Sequence, residues 1–128
     1  MPRVPMKSIW RVFTKKYNLS DYQVAQFKRY MRELKEWNDR IDLTSITTDQ
    51  SIVELHFDDS MQLSQFVDIS KMSACADVGS GGGFPGIPLN ILHPGTSFYL
   101  IEVKHPVIWH LGYTLIDPTY SCYPYKSL

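Results

Sequence analysis

The residues best placed to do chemistry are a cluster of glycines between two short apolar segments. Residues 77–86 read DVGSGGGFPG, and Glu102 ends the apolar segment that follows. Glycines directly after a strand let the backbone adopt positive φ and let a ligand approach where a Cβ would clash. A helix that starts after such a turn adds free N–H groups, so the combination is typical of a nucleotide-cofactor site.

Three glycine motifs compete for this loop. Gly79, Gly81 and Gly83 form GxGxG, the usual S-adenosylmethionine pattern, whereas Gly81, Gly83 and Gly86 form the dinucleotide pattern GxGxxG. A P-loop is disfavoured because no Lys-Ser or Lys-Thr follows the glycines. Glu102 lies about twenty residues further on, where a carboxylate can accept hydrogen bonds from both ribose hydroxyls of an adenosine in either remaining pattern.

Phe84 and Pro85 favour the first pattern. A bulky ring and a residue without an N–H leave less room and fewer donors for a pyrophosphate. A cofactor that lacks phosphates tolerates both residues better, which favours S-adenosylmethionine. A turn that merely links a strand to a helix is the remaining interpretation, but four glycines within residues 79–83 are costly to order unless they are used.

The spacing of apolar residues predicts the elements around the loop. A capping box at Ser20 and Gln23 and a helical repeat predict a helix over 21–37, with a shorter helix over 6–17. Thr48 or Asp49 and then Asp59 can begin further helical turns, so the first seventy residues look helical. Apolar segments at 74–78 and 97–103, with a helix over 87–92 between them, predict a β–α–β unit.

Basic residues are concentrated near the N-terminus. Ten of the thirteen Lys and Arg lie in the first forty residues against four acids, which leaves three bases against nine acids in the remainder. This asymmetry indicates a polyanionic partner, although an ordinary solvated helix face would give the same pattern. Four of these bases fall on the solvent side of the 21–37 helix, where RNA phosphates can dock: Lys28, Arg29, Arg32 and Lys35.

Composition narrows the remaining classes of protein. Cys75 and Cys122 form no CxxC pair, so neither a disulfide framework nor a zinc site is predicted. No segment approaches the roughly 18 apolar residues of a membrane span, and the N-terminus lacks the apolar core of a signal peptide. We therefore expect a soluble, cytoplasmic protein, and a monomer.

Several motifs together resemble one family. These are WN at 37–38, IDLT at 41–44, His56 with DDS at 58–60, and DVGSGGGFPGIPL at 77–89. In this order they resemble the small-subunit ribosomal RNA guanine-N7 methyltransferases, also called glucose-inhibited division protein B. The resemblance implies an α/β fold: an N-terminal helical extension followed by the first β–α–β unit of a class I, Rossmann-like, S-adenosylmethionine-dependent methyltransferase.

The resemblance also implies roles for particular residues. Gly79 and Phe84 match family cofactor contacts, Gly81 and Gly83 line the same turn, and Glu102 matches the ribose-binding acid. The implied partner of the basic helices is 16S rRNA in the small ribosomal subunit. No catalytic acid or base is assigned, because guanine N7 already presents a lone pair to the sulfonium methyl. Alignment and charge placement then carry catalysis.

Two further expectations concern residues beside the loop. Asp77 is expected to orient the glycine loop. His56 and Asp59 fit either a metal or acid-base pair or, in the interpretation we favour, a helix-end hydrogen-bonded pair that braces the loop.

The resemblance fades after Lys104, and this predicts three regions. Residues 1–70 are a basic helical region for RNA contact, 71–104 begin the methyltransferase domain, and 105–128 are an atypical tail rich in proline and aromatic residues. A truncated or frameshifted chain that lacks the C-terminal part of the sheet, and turnover with it, is the expectation. The alternatives are a noncatalytic RNA-binding fragment and, less favoured, a nicotinamide-dependent oxidoreductase.

Overall fold

The computed structural model describes residues 6–41, 45–79, 81–102 and 122–124. Two long helices begin the fold, α1 (Met6–Tyr17) and α2 (Asp21–Ile41). The predicted capping box is present, because the Ser20 N–H donates to Gln23 Oε1 at 2.9 Å and the Gln23 N–H donates to Ser20 Oγ at 3.1 Å. Both helices were predicted, and α2 continues four residues past the predicted end at Trp37.

A third helical segment contains several kinds of turn. It runs from α3 (Asp49–Ser51) through a π-helix (Ile52–Asp58) and α4 (Asp59–Met61) to a 3-10 turn (Gln62–Gln65). Thr48 caps its start by accepting a hydrogen bond from the Ser51 N–H at 3.2 Å, as its position in the sequence predicts. A second 3-10 turn, Ile69–Lys71, leads into the sheet.

The β–α–β unit follows as predicted. Strand β1 (Ala74–Val78), helix α5 (Gly86–Leu92) and strand β2 (Ser97–Glu102) succeed one another, and β1 pairs in parallel with β2 from Ala74 opposite Ser97 to Val78 opposite Ile101. A third strand, β3 (Cys122–Pro124), pairs in parallel with the other side of β2. The sequence did not predict β3, because three residues that include a proline carry no alternating pattern.

The helical region and the β–α–β unit share one core. Its centre is a set of aromatic rings from three helical segments, with Phe27 centred 5.1 Å from both Phe13 and Phe57. Ile87 from α5 and Leu100 from β2 are buried in the same cluster. A hydrogen bond of 3.0 Å from the Gln23 side chain to the Ile91 carbonyl also joins α2 to α5.

One side of the sheet is open among the described residues. Ala74, Ala76 and Val78 are exposed, and Val78 retains 73% of its accessible surface. The other residues of β1 face α5, where Cys75 packs against a small cluster that includes Leu89 and Phe98. No described strand pairs with the outer edge of β1. Within the part of the chain that the structure describes, the outer edge of β1 therefore keeps unpaired backbone groups.

Candidate cofactor site

The glycine loop begins at the carboxyl end of β1, beside the end of β2. The Gly79 N–H donates to the Ile101 carbonyl at 2.7 Å, which extends the parallel ladder by one bond. The carboxyl ends of adjacent parallel strands lie at the same edge of a sheet, so Glu102 and the loop meet there. Ser80 lies outside the described residues.

Alternate glycines of the loop have backbone conformations that other residues rarely adopt. The φ angles are 75° at Gly79, 57° at Gly81 and 99° at Gly83, all in the left-handed region. A Cβ added at Gly79 or at Gly81 would meet no atom within 4 Å. The loop therefore presents bare backbone to open space, as a ligand that approaches the main chain requires.

Glu102 reaches this open side of the loop. Its Oε2 accepts a hydrogen bond from the Gly81 N–H at 2.7 Å. Each carboxylate oxygen has two lone pairs, so this bond leaves capacity for hydroxyl donors such as those of a ribose. The structure thus brings together Gly79, Gly81 and Glu102, three of the predicted site residues, at one edge of the sheet.

Gly86 has a packing role that differs from the other glycines. A Cβ at this position would collide with Cδ2 of Leu100 and would lie 2.9 Å from Oδ2 of Asp77. Asp77 Oδ2 accepts a hydrogen bond from the Gly86 N–H at 3.0 Å, which ties the end of the loop to β1. The last residue of the loop region is thus hydrogen-bonded to Asp77, and the orienting role of Asp77 stays a prediction.

The start of α5 provides no available backbone N–H donors for a phosphate group. Pro85 and Pro88 have no N–H, and the Gly86 N–H is bonded to Asp77. The Ile87 N–H donates to the Gly83 carbonyl at 2.8 Å. Over residues 85–88, every backbone N–H is thus already bonded within the chain. A pyrophosphate on a dinucleotide depends on such groups, so the geometry disfavours the GxGxxG interpretation.

Phe84 and His56 lie on the inner side of the loop. The ring of Phe84 is half-buried and stacks on His56, with centroids 4.3 Å apart and planes 9° apart, and also on Tyr30. Burial lowers the pKa of His56 below its ordinary value, and the charge of Asp59 opposes this shift. His56 contacts the loop through its ring, and the described residues contain no group of three or more potential metal ligands.

The four basic residues proposed for RNA contact differ in their surroundings. Arg29 and Arg32 are exposed on α2. The ammonium group of Lys28 is 5.6 Å from the ring centroid of Trp10, and Lys35 forms an ion pair with Asp49. Helical spacing predicts the shared side of α2, but it gave no sign that an acid 14 residues away would offset Lys35.

Together, the parallel β–α–β unit, the bare glycine loop and the acid at the end of β2 define a partial Rossmann-like methyltransferase fold. The family model described as rRNA small subunit methyltransferase G, GidB, matches residues 23–115. The chain belongs to this family. The match continues eleven residues past Lys104, the position after which the motifs in the sequence no longer resemble the family.

Curated relatives with the same name support this assignment. The Ribosomal RNA small subunit methyltransferase G of Bacillus pumilus is 45% identical over 107 residues, which cover 80% of this chain and 45% of the relative. The protein of the same name from Macrococcus caseolyticus is 38% identical over 97 residues, covering 76% and 41%. The Clostridium novyi protein is 43% identical over 83 residues, covering 65% and 34%. The chain thus spans less than half the length of these relatives.

Proposed function

We propose that this chain carries the S-adenosylmethionine-binding loop and the RNA-contacting helices of an enzyme that methylates N7 of a guanine in 16S rRNA. The family is one of rRNA small subunit methyltransferases, which supports a methyl donor and an rRNA substrate. The observation that carries the choice of donor is the start of α5, where all available N–H groups are occupied. A donor without phosphates needs none of them.

Different residues of the loop would contact different parts of the cofactor. The backbone at Gly79, Gly81 and Gly83 would hold the adenosyl group, and the carboxylate of Glu102 would accept hydrogen bonds from its ribose hydroxyls. The backbone of Phe84 would complete the contact at the end of the turn, because its ring stacks on the inner side of the loop. When bound, S-adenosylmethionine supplies an electrophilic methyl group on a sulfonium.

The chain's contribution to methyl transfer is then alignment. Guanine N7 has a lone pair in its neutral form, so no side chain needs to remove a proton before the new bond forms. Holding the donor still at the sheet edge while α2 holds RNA phosphates lowers the entropic part of the barrier. Arg29 and Arg32, both exposed, are the side chains best placed on α2 for such contacts.

Calorimetry with several ligands tests the proposed cofactor class. S-adenosylmethionine and S-adenosylhomocysteine should both bind the chain, because both present the adenosyl group to the loop. NADH and ATP should give no measurable heat at the same concentrations, since each requires phosphate donors that the start of α5 lacks. Saturable binding of NADH without binding of S-adenosylmethionine would instead support an oxidoreductase.

A further inference from the structure

The glycine loop is held against the helical region by a hydrogen bond and by stacked rings. The hydroxyl of Tyr30, on α2, donates a hydrogen bond of 2.5 Å to the carbonyl of Gly82. Tyr30 and Gly82 are both buried, so water has poor access to this carbonyl. A buried acceptor that loses its donor is destabilised by more than the average worth of a hydrogen bond.

Stacked rings make a second fastening. Phe84 stacks on Tyr30 with centroids 5.5 Å and planes 14° apart, and on His56 with centroids 4.3 Å and planes 9° apart. Stacked rings attract one another beyond the burial of their surfaces, so both contacts restrain the ring of Phe84. A Cβ at Gly82 would lie 3.3 Å from Leu34 and 3.3 Å from Phe84, which shows how closely the loop is seated on α2.

We propose that Tyr30 and His56 are positioning residues that hold the glycine loop in its ligand-receiving conformation. This inference rests on the proposed cofactor site. A Cβ at Gly79 or Gly81 would meet open space, so side-chain packing on the loop comes from its inner side, in addition to the hydrogen bond from Gly81 to Glu102. The helical extension then acts on the cofactor loop directly, in addition to any contact that it makes with RNA.

Replacement of single atoms tests the role of Tyr30. Tyr30→Phe keeps the ring and its stacking but removes the donor to Gly82, and Tyr22→Phe is a matched control on the same helix, where the tyrosine is 69% exposed. We expect Tyr30→Phe to weaken S-adenosylmethionine binding roughly fivefold and to accelerate amide hydrogen exchange at residues 81–83. Tyr22→Phe should change neither quantity.

A second pair of variants tests the stacked ring. His56→Ala should also weaken binding and accelerate exchange at residues 81–83, and His56→Phe, which keeps a flat ring against Phe84, should restore both. A role confined to global stability predicts instead that exchange rises equally in α2 and β2. That result would overturn the proposal, as would unchanged exchange in Tyr30→Phe.

The two readouts separate this inference from the proposed function. If the parent chain gives no heat with S-adenosylmethionine, the proposed function fails, and the exchange measurement without ligand still shows whether Tyr30 and His56 order the loop. If the parent chain binds and all four variants bind alike, the positioning role is wrong while the cofactor site stands.

Discussion

At the scale of single residues, Gly86 shows how a motif position is fixed by packing. Its missing Cβ lets α5 approach β2, where Leu100 is fully buried, and β1, where Asp77 accepts its N–H. The sequence offered Gly86 as the third glycine of a dinucleotide motif. The structure gives it a steric role that either cofactor class would need, so this position by itself does not choose between them.

The close approach at Gly86 predicts a stability defect. Gly86→Ala should lower the free energy of unfolding by about 1 to 3 kcal/mol, because the new methyl group collides with Leu100 and crowds Asp77. Urea unfolding followed by circular dichroism measures the change. Gly95→Ala is the matched control, since a Cβ there meets nothing within 4 Å, and an equal loss in both variants would contradict the steric explanation.

The histidines predict a pH dependence of stability. Burial lowers the pKa of His56 and of His93 below the ordinary value of 6.5, while Asp59 and Asp68 respectively oppose the shift. As pH falls below 6.5, the unfolded chain therefore takes up more protons than the folded chain, and the free energy of unfolding decreases.

Urea titrations at pH 7.5, 6.5 and 5.5 and constant ionic strength measure this effect. Stability should be greatest at pH 7.5 and should fall toward pH 5.5, with a shallower fall when His56 is replaced by Phe. A free energy of unfolding that rises between pH 6.5 and 5.5 would contradict the assigned direction.

At the scale of elements, local signals predicted most boundaries well. The capping box at Ser20 fixes the start of α2, and the alternation of apolar segments with glycines gives β1, α5 and β2. The π-helix at Ile52–Asp58 and strand β3 depend on contacts distant in sequence, so no local periodicity reports them. The same holds for the hydrogen bond from Tyr30 to Gly82, which joins residues 52 positions apart.

The contribution of the capping box to the stability of the fold can be tested by mutation. Ser20→Ala should lower the free energy of unfolding by about 1 kcal/mol, because the Gln23 N–H loses its acceptor at the start of α2. Ser20→Asp, which supplies another capping oxygen, should restore most of the loss. Thermal unfolding measures both variants, and equal stability of Ser20→Ala and the parent chain would show that the cap contributes nothing.

At the scale of the whole molecule, the buried apolar residues form a shared core, and the described basic residues lie on the surface. The core joins helices and sheet into one cluster, whereas the basic side chains described on α1 and α2 are exposed, apart from the half-buried Lys35. No helix in the described residues is long and apolar enough to cross a membrane. Composition could predict the charge asymmetry, but only the fold shows that Lys35 is offset by Asp49 while Arg29 and Arg32 are exposed.

This surface predicts salt-dependent RNA binding. Replacing both Arg29 and Arg32 by Ala should weaken binding to a 16S rRNA fragment several-fold and reduce the slope of log affinity against log salt by about 1 to 2. Lys71→Ala is the control, because Lys71 is exposed but lies outside the basic helices. Filter binding across a salt series measures both, and an unchanged slope in the double variant would place the RNA elsewhere.

The proposed cofactor site places the adenosyl group at the glycine loop, with Glu102 at the ribose. Gly81→Asp tests it well, because Asp tolerates positive φ better than most residues and its Cβ has open space, so the fold should survive. Gly95→Asp is the matched control in a distant exposed turn.

Isothermal titration with S-adenosylmethionine is the measurement. We expect saturable binding to the parent chain and to Gly95→Asp, and at least a tenfold loss in Gly81→Asp, because the new carboxylate would lie beside Glu102 and repel it. Equal affinity in Gly81→Asp and Gly95→Asp would show that the ligand binds away from the glycine loop.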